Sequence, residues 1–221
     1  MDIQLPPEMA AMADQFPSER STTHELRFNE TASLMKAAPQ EEDEDGSREI
    51  SLGDGSGIMT MRVQGPGDND NAMYVNFDEE QRIEKRDFLN RTFLISGEAN
   101  TLQWRLTDER SEFLGYVAQK AVAMRDTTAI EAWFTPEIPV PAGPSVYGGL
   151  PGLILVLTVG EGRTSYVAEA VDLSSLEEPI EAPSKGRKVS RDEFDEIVQE
   201  KMKEMNAGSS GGSTFIIRGG D

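Results

Sequence analysis

The stretch that decides the fold is Gly149-Leu150-Pro151-Gly152-Leu153-Ile154, continued by Leu155-Val156-Leu157-Thr158-Val159. Pro151 fixes φ, removes a backbone donor and presses Leu150 toward an extended conformation. Gly149 and Gly152 open backbone angles closed to other residues, or let a neighbouring strand come close. Leu153 to Leu157 is an unbroken apolar run preceded by glycine, which predicts a strand buried on both faces. Residues 136–144 lead into it through Pro136, Pro139, Pro141 and Pro144. The hexapeptide carries no group that can do chemistry. Residues 136–152 are therefore expected to be a rigid crossing that delivers a central strand.

Outward from this point the pattern is β. C-terminal to it, residues 164–173 form the second arm of a hairpin closed by Gly160-Glu161-Gly162. N-terminal to it, Ile130, Ala132 and Phe134 alternate with Glu131 and Trp133, the signature of a half-buried strand. Leu102, Trp104 and Leu106 alternate in the same way. Residues 112–124 read as one long extended segment with a bend or bulge at Gly115. Residues 82–89 and 92–95 read as strands, as do 73–77 and 58–63. Residues 24–36 read as two short strands around Asn29-Glu30, a turn-prone pair. Between these segments nothing helical reaches ten residues. Connections so short cannot make parallel crossovers, so the sheet is expected to be mainly antiparallel.

Helical signals lie at the ends. Residues 6–16 suggest a short helix with Pro6 and Pro7 in its first turn. Ser190-Arg191-Asp192-Glu193 is a capping box. Phe194, Ile197, Val198, Met202 and Met205 follow as an apolar stripe at helical spacing. The expected organisation is a β domain over 1–176, a linker over 177–189, an amphipathic helix over 190–206 and a Gly/Ser tether with a terminal strand over 207–221. The expected fold is mainly β, a single curved antiparallel sheet or half-barrel, with the C-terminal helix packed on its concave face.

Composition excludes several functions. The chain has 221 residues, with 40 acidic against 21 basic and a formal net charge of −19. Nucleic acid and anionic membrane surfaces call for clustered Lys and Arg, so neither is an expected partner. No window approaches the roughly 18 apolar residues of a membrane span. With no cysteine, disulfides, thiolate metal sites and a cysteine nucleophile are excluded. The single histidine, His24, sits beside Glu25 and is expected at the surface. It lacks the partners of a Ser-His-Asp arrangement. The run Glu41-Glu42-Asp43-Glu44-Asp45 lacks the ligand order of a calcium loop and reads as solvated loop. Gly53-Asp54-Gly55-Ser56-Gly57 has no following Lys-Ser/Thr, so it is no phosphate loop. No catalytic residue, metal site or cofactor is expected. Trp104, Tyr116, Trp133 and Tyr147 are candidates to line an apolar pocket.

The ordered set of motifs resembles the GLPGLI family of Bacteroidota. Besides the hexapeptide, the resemblance rests on Leu102-Gln103-Trp104-Arg105-Leu106 and on Phe113-Leu114-Gly115-Tyr116 with Lys120-Ala121. It rests further on residues 132–139, Gly143-Pro144 and the Glu193-Phe194 helix. Family members often carry cysteine where this chain has Ala118, which argues against a thiol role. They also usually carry a secretion signal and a further strand before the region where this chain starts. Asp2-Ile3-Gln4-Leu5 reads as the end of such a strand. The resemblance therefore implies a trimmed or mis-started form of an exported protein, periplasmic or secreted. The missing strand would be supplied by residues 215–218 or by another molecule. The function so implied is that of a non-enzymatic binding or accessory protein of the cell envelope, partnered by an envelope protein. The alternative is a carrier of an apolar ligand, a lipid or lipoprotein, in a concave sheet. An unrecognised hydrolase ranks last.

Overall fold

A computed structural model describes residues 21–38, 56–64, 72–99, 102–174, 176 and 178–209. These form β1 (Ser21–Phe28), β2 (Ala32–Ala37), β3 (Gly57–Gln64), β4 (Ala72–Asn76), β5 (Gln81–Phe88), β6 (Arg91–Glu98), β7 (Arg105–Phe113), β8 (Tyr116–Arg125), β9 (Thr128–Thr135), β10 (Leu153–Val159), β11 (Thr164–Asp172), β12 (Arg187–Ser190) and helix α1 (Arg191–Ser209). The expected helix at residues 6–16, the acidic run and the terminal strand at 215–218 lie outside the described residues.

The 12 strands among the described residues join one open sheet in the order β12-β6-β5-β4-β2-β1-β3-β11-β10-β9-β8-β7. Every pairing is antiparallel except β12 with β6. The mainly β, antiparallel expectation and the packed helix are both observed. The sheet curls strongly. Side chains from β5 and β8, far apart in strand order, line one common cavity.

Two segments cover the concave face. One is residues 136–152. Its Ile138, Val140 and Ala142 pack against Leu26, Met35, Met59 and Met61 of β1, β2 and β3. The hexapeptide locks this segment down. Leu153 N–H donates to Ile138 O at 3.0 Å and Ile154 N–H to Ala142 O at 3.0 Å, while Gly149 N–H bonds Pro141 O at 3.0 Å. Leu153 and Leu155 enter one apolar cluster, and Leu150, Ile154 and Leu157 a second with Ile130, Ala132 and Phe134. The strand is thus buried on both faces, each full side chain worth roughly 1.5–3 kcal/mol. A Cβ at Gly152 would lie 2.1 Å from Thr135 O. Close approach, rather than an unusual φ, is what demands glycine there.

The second cover is α1. Phe194 packs edge-on against Phe93 at 5.2 Å and Phe88 at 6.1 Å, within a cluster that also holds Ile95 and Val189. The predicted capping box forms: Ser190 N–H donates to Glu193 Oε2 at 2.7 Å, and Glu193 N–H to Ser190 Oγ at 3.2 Å. Hydrogen bonding of the Glu193 carboxylate to Ser190, the backbone N–H foremost and then the side chain, holds its pKa below the usual range.

The structure differs from the sequence reading at four places. Residues 187–189 of the expected linker, with Ser190 from the expected helix, form β12, because Val189 supplies an apolar anchor alongside Phe93 and Phe194. Gly115 is a hairpin turn and not a bend. Leu114 (φ 53°) and Gly115 (φ 82°) are both left-handed, as a two-residue turn between Phe113 and Tyr116 requires. Leu102 and Trp104 precede β7 instead of lying in it. His24 is buried, only 6% exposed. It alternates inward with Leu26 and Phe28 along β1.

Candidate functional site

Along β5, Arg82, Glu84 and Arg86 alternate with Ile83 and Lys85, so all three project from one face. Register decides which. Glu84 lies opposite Met73 of β4 and Ile95 of β6, both inward core residues. The charged side chains therefore point into the concavity. Arg191, the first residue of α1, reaches the same place and bonds the Glu84 carboxylate, whose other oxygen takes Arg86 at 2.6 Å. The Arg86 guanidinium also lies 5.7 Å over the Phe194 ring. From the far side, Arg125 at the end of β8 stacks over Tyr147 at 4.8 Å.

These groups line a cleft of about 460 Å³. Its walls also include His24, Met35, Val63, Met73, Ser145, Val146, Tyr147, Val159, Thr164 and Tyr166. Among the described residues four guanidiniums and one carboxylate line this cleft, in a chain whose net charge is −19. Glu84 is 3% exposed, and both its oxygens are engaged. Arg82 donates from Nε to Glu98 O at 2.9 Å. Neither Arg82 nor Arg125 pairs with a carboxylate among the described residues. Burial foremost, then the charges of Arg191 and Arg125, lower the Arg82 pKa, with Glu84 opposing. A guanidinium stays protonated regardless, so the shift registers chiefly the cost of burying this charge, with repulsion from Arg191 and Arg125 added to it. His24 forms part of the wall, and its Nδ1 has no hydrogen-bond partner among the described residues. Burial holds its pKa below the ordinary 6.5, an effect only partly offset by the Thr22 backbone. The imidazole is accordingly neutral at pH 7. Apolar side chains and two tyrosines complete the lining, so the cleft suits a molecule with an anionic end and an apolar body.

The four aromatic pocket candidates do not converge. Only Tyr147 lines the cleft. Trp104 meets it in the second apolar cluster and donates Nε1–H to Gly148 O at 2.9 Å, pinning the covering segment. Tyr116 packs against the first cluster. Trp133 points the opposite way from Ala132 and Phe134 along β9, against Phe113 at 5.6 Å and beneath Lys120 at 5.9 Å. The hexapeptide residues are placed structurally, with Leu150, Leu153 and Ile154 buried and Pro151 exposed. No group of three or more potential metal ligands occurs among the described residues. No helix among them is long and apolar enough to cross a membrane.

The architecture defines a class: an open, curled antiparallel sheet holding a cationic cleft. Residues 98–156 match the family described as "Protein of unknown function (Porph_ging)", a Bacteroidota-type family. The matched span includes Arg125, the covering segment and the hexapeptide, but not β5 or α1. No curated protein matches the chain. Two solved structures, "Structure of PNGF-II in P21 space group" and "Structure of PNGF-II in C2 space group", each align at 16% identity with a TM-score of 0.48. Each alignment covers 81% of this chain and 33% of that one. The chain thus spans about a third of those proteins.

Proposed function

We propose that this is a non-enzymatic, extracytoplasmic binding protein whose concave cleft receives an anionic small molecule with an apolar body. The observation that carries the reading is the convergence of Arg82, Arg86, Arg125 and Arg191 on one partly apolar cleft of an acidic chain. Binding rather than catalysis is supported by the engagement of Glu84, whose two oxygens are both held by arginines and so are not presented to a substrate. An envelope location and the finer assignment to the GLPGLI family are supported by the motif resemblance. The carrier alternative keeps its cavity but changes its cargo, since the uncompensated charge favours a carboxylate over a neutral lipid. The chain itself seats the Glu84 carboxylate between two of these arginines, a pairing that supports carboxylate as the chemistry the cleft would take.

The test uses benzoate, with benzyl alcohol as the neutral analogue, in calorimetric titration and thermal-shift measurements. Benzoate is expected to bind and raise the melting temperature, and Arg82→Gln to weaken it about tenfold or more. An equal response to both compounds, or none to either, overturns the reading.

A further inference from the structure

The cleft does not end at Arg125. A second basin of about 330 Å³ is lined by Arg125, Asp126, Thr128, Ile130, Tyr147, Val159, Arg163 and Thr164. It shares Arg125, Tyr147, Val159 and Thr164 with the first. The two basins therefore form one groove that runs past the Arg125–Tyr147 stack. At its far end stands Arg163, on the turn between β10 and β11. That arginine is aimed by its turn. Its Nε donates to Gly160 O at 3.3 Å, and Gly160 N–H is tied to Ala129 O of β9 at 2.9 Å. Gly160 has φ +63°, and a Cβ there would stand 2.7 Å from the Arg163 guanidinium. A side chain at position 160 would displace the guanidinium from over the turn. The far basin contains one carboxylate, Asp126, against Arg125 and Arg163. No ion pair links Arg163 to a carboxylate among the described residues.

Resting on the anion-binding reading above, we infer that the groove is built for an elongated dianion, an aliphatic or aromatic dicarboxylate. One carboxylate sits among Arg82, Arg86 and Arg191. The apolar body passes Tyr147 and Val159, and the second carboxylate meets Arg163 and the Thr128 and Thr164 hydroxyls. Once the first end is held, the second binds at high effective concentration.

The experiment compares octanoate with a series of dicarboxylates from malonate to azelate, by calorimetry, on the wild-type chain and on Arg163→Gln. The expected result is that affinity rises with chain length until both basins are reached. The long diacid should then bind about tenfold or more tighter than octanoate. Arg163→Gln should erase that gain and leave octanoate binding unchanged. Octanoate binding with no gain from any diacid, or a gain that survives Arg163→Gln, overturns the dianion inference and leaves the monoanion site standing. Failure of every carboxylate to bind overturns both.

Discussion

At Gly152 the fold allows no side chain, because Thr135 O occupies the place of a Cβ and belongs to the backbone of β9. Neither neighbour can yield without breaking the β9–β10 pairing. Gly152→Val should therefore cost about 2 kcal/mol or more, read as a lower urea midpoint. An unchanged midpoint would show that the covering segment is not locked to the strand. His24 makes a second residue-scale prediction. Its native pKa lies below the unfolded value of 6.5, so the unfolded chain binds the proton more readily. The stability this group confers is complete above that value. It is lost progressively as pH falls below 6.5 toward the lower native pKa. Melting temperatures of wild type and His24→Gln should accordingly diverge from each other between neutral and mildly acidic pH. Curves that stay parallel would place His24 in water. From sequence, a lone histidine beside Glu25 looked like surface, because the inward parity of β1 depends on its pairing with β2 and β3.

Among the elements, β5 shows why the site was not legible. Arg82, Glu84 and Arg86 at alternate positions look like a solvated face, and a strand at residues 82–89 was all the pattern supported. They turn inward because Met73 and Ile95 lie opposite Glu84, a register set by strands outside the segment. The available signal was Ile83 as the one apolar residue between them, too weak to choose a face. Helix α1 was legible because its capping box and stripe are local. Its Phe194 packs among Phe88, Phe93, Ile95 and Val189 on the concave face, so Phe194→Ala should cost about 3 kcal/mol. It should also weaken benzoate binding, since Arg191 rides on the same helix. Loss of stability with benzoate affinity unchanged would detach the helix from the cleft. At the other edge, β7 exposes Asp108, Glu109, Arg110 and Glu112, and its pairing with β8 is interrupted between Leu106 and Arg110. Such a charged, irregular edge resists strand addition. That weighs against a partner docking there.

Across the whole molecule, the mainly antiparallel sheet followed from short connections, and its curvature was expected with it, whereas the parallel β12–β6 contact was not. That contact depends on Val189, an apolar anchor which a polar neighbourhood hides in sequence. The order in which the wall of the cleft is assembled has a consequence for biosynthesis. Arg82 and Arg86 emerge early, Arg125 later, and Arg191 after all 12 strands. A ribosome supplies the chain in that direction. Until β12 closes on β6, Glu84 faces the concavity without one of its two arginines, and the sheet margin at β6 is open. The nascent protein is thus a cup with one side missing, and the wall of the cleft is complete only once the helix that follows β12 has emerged.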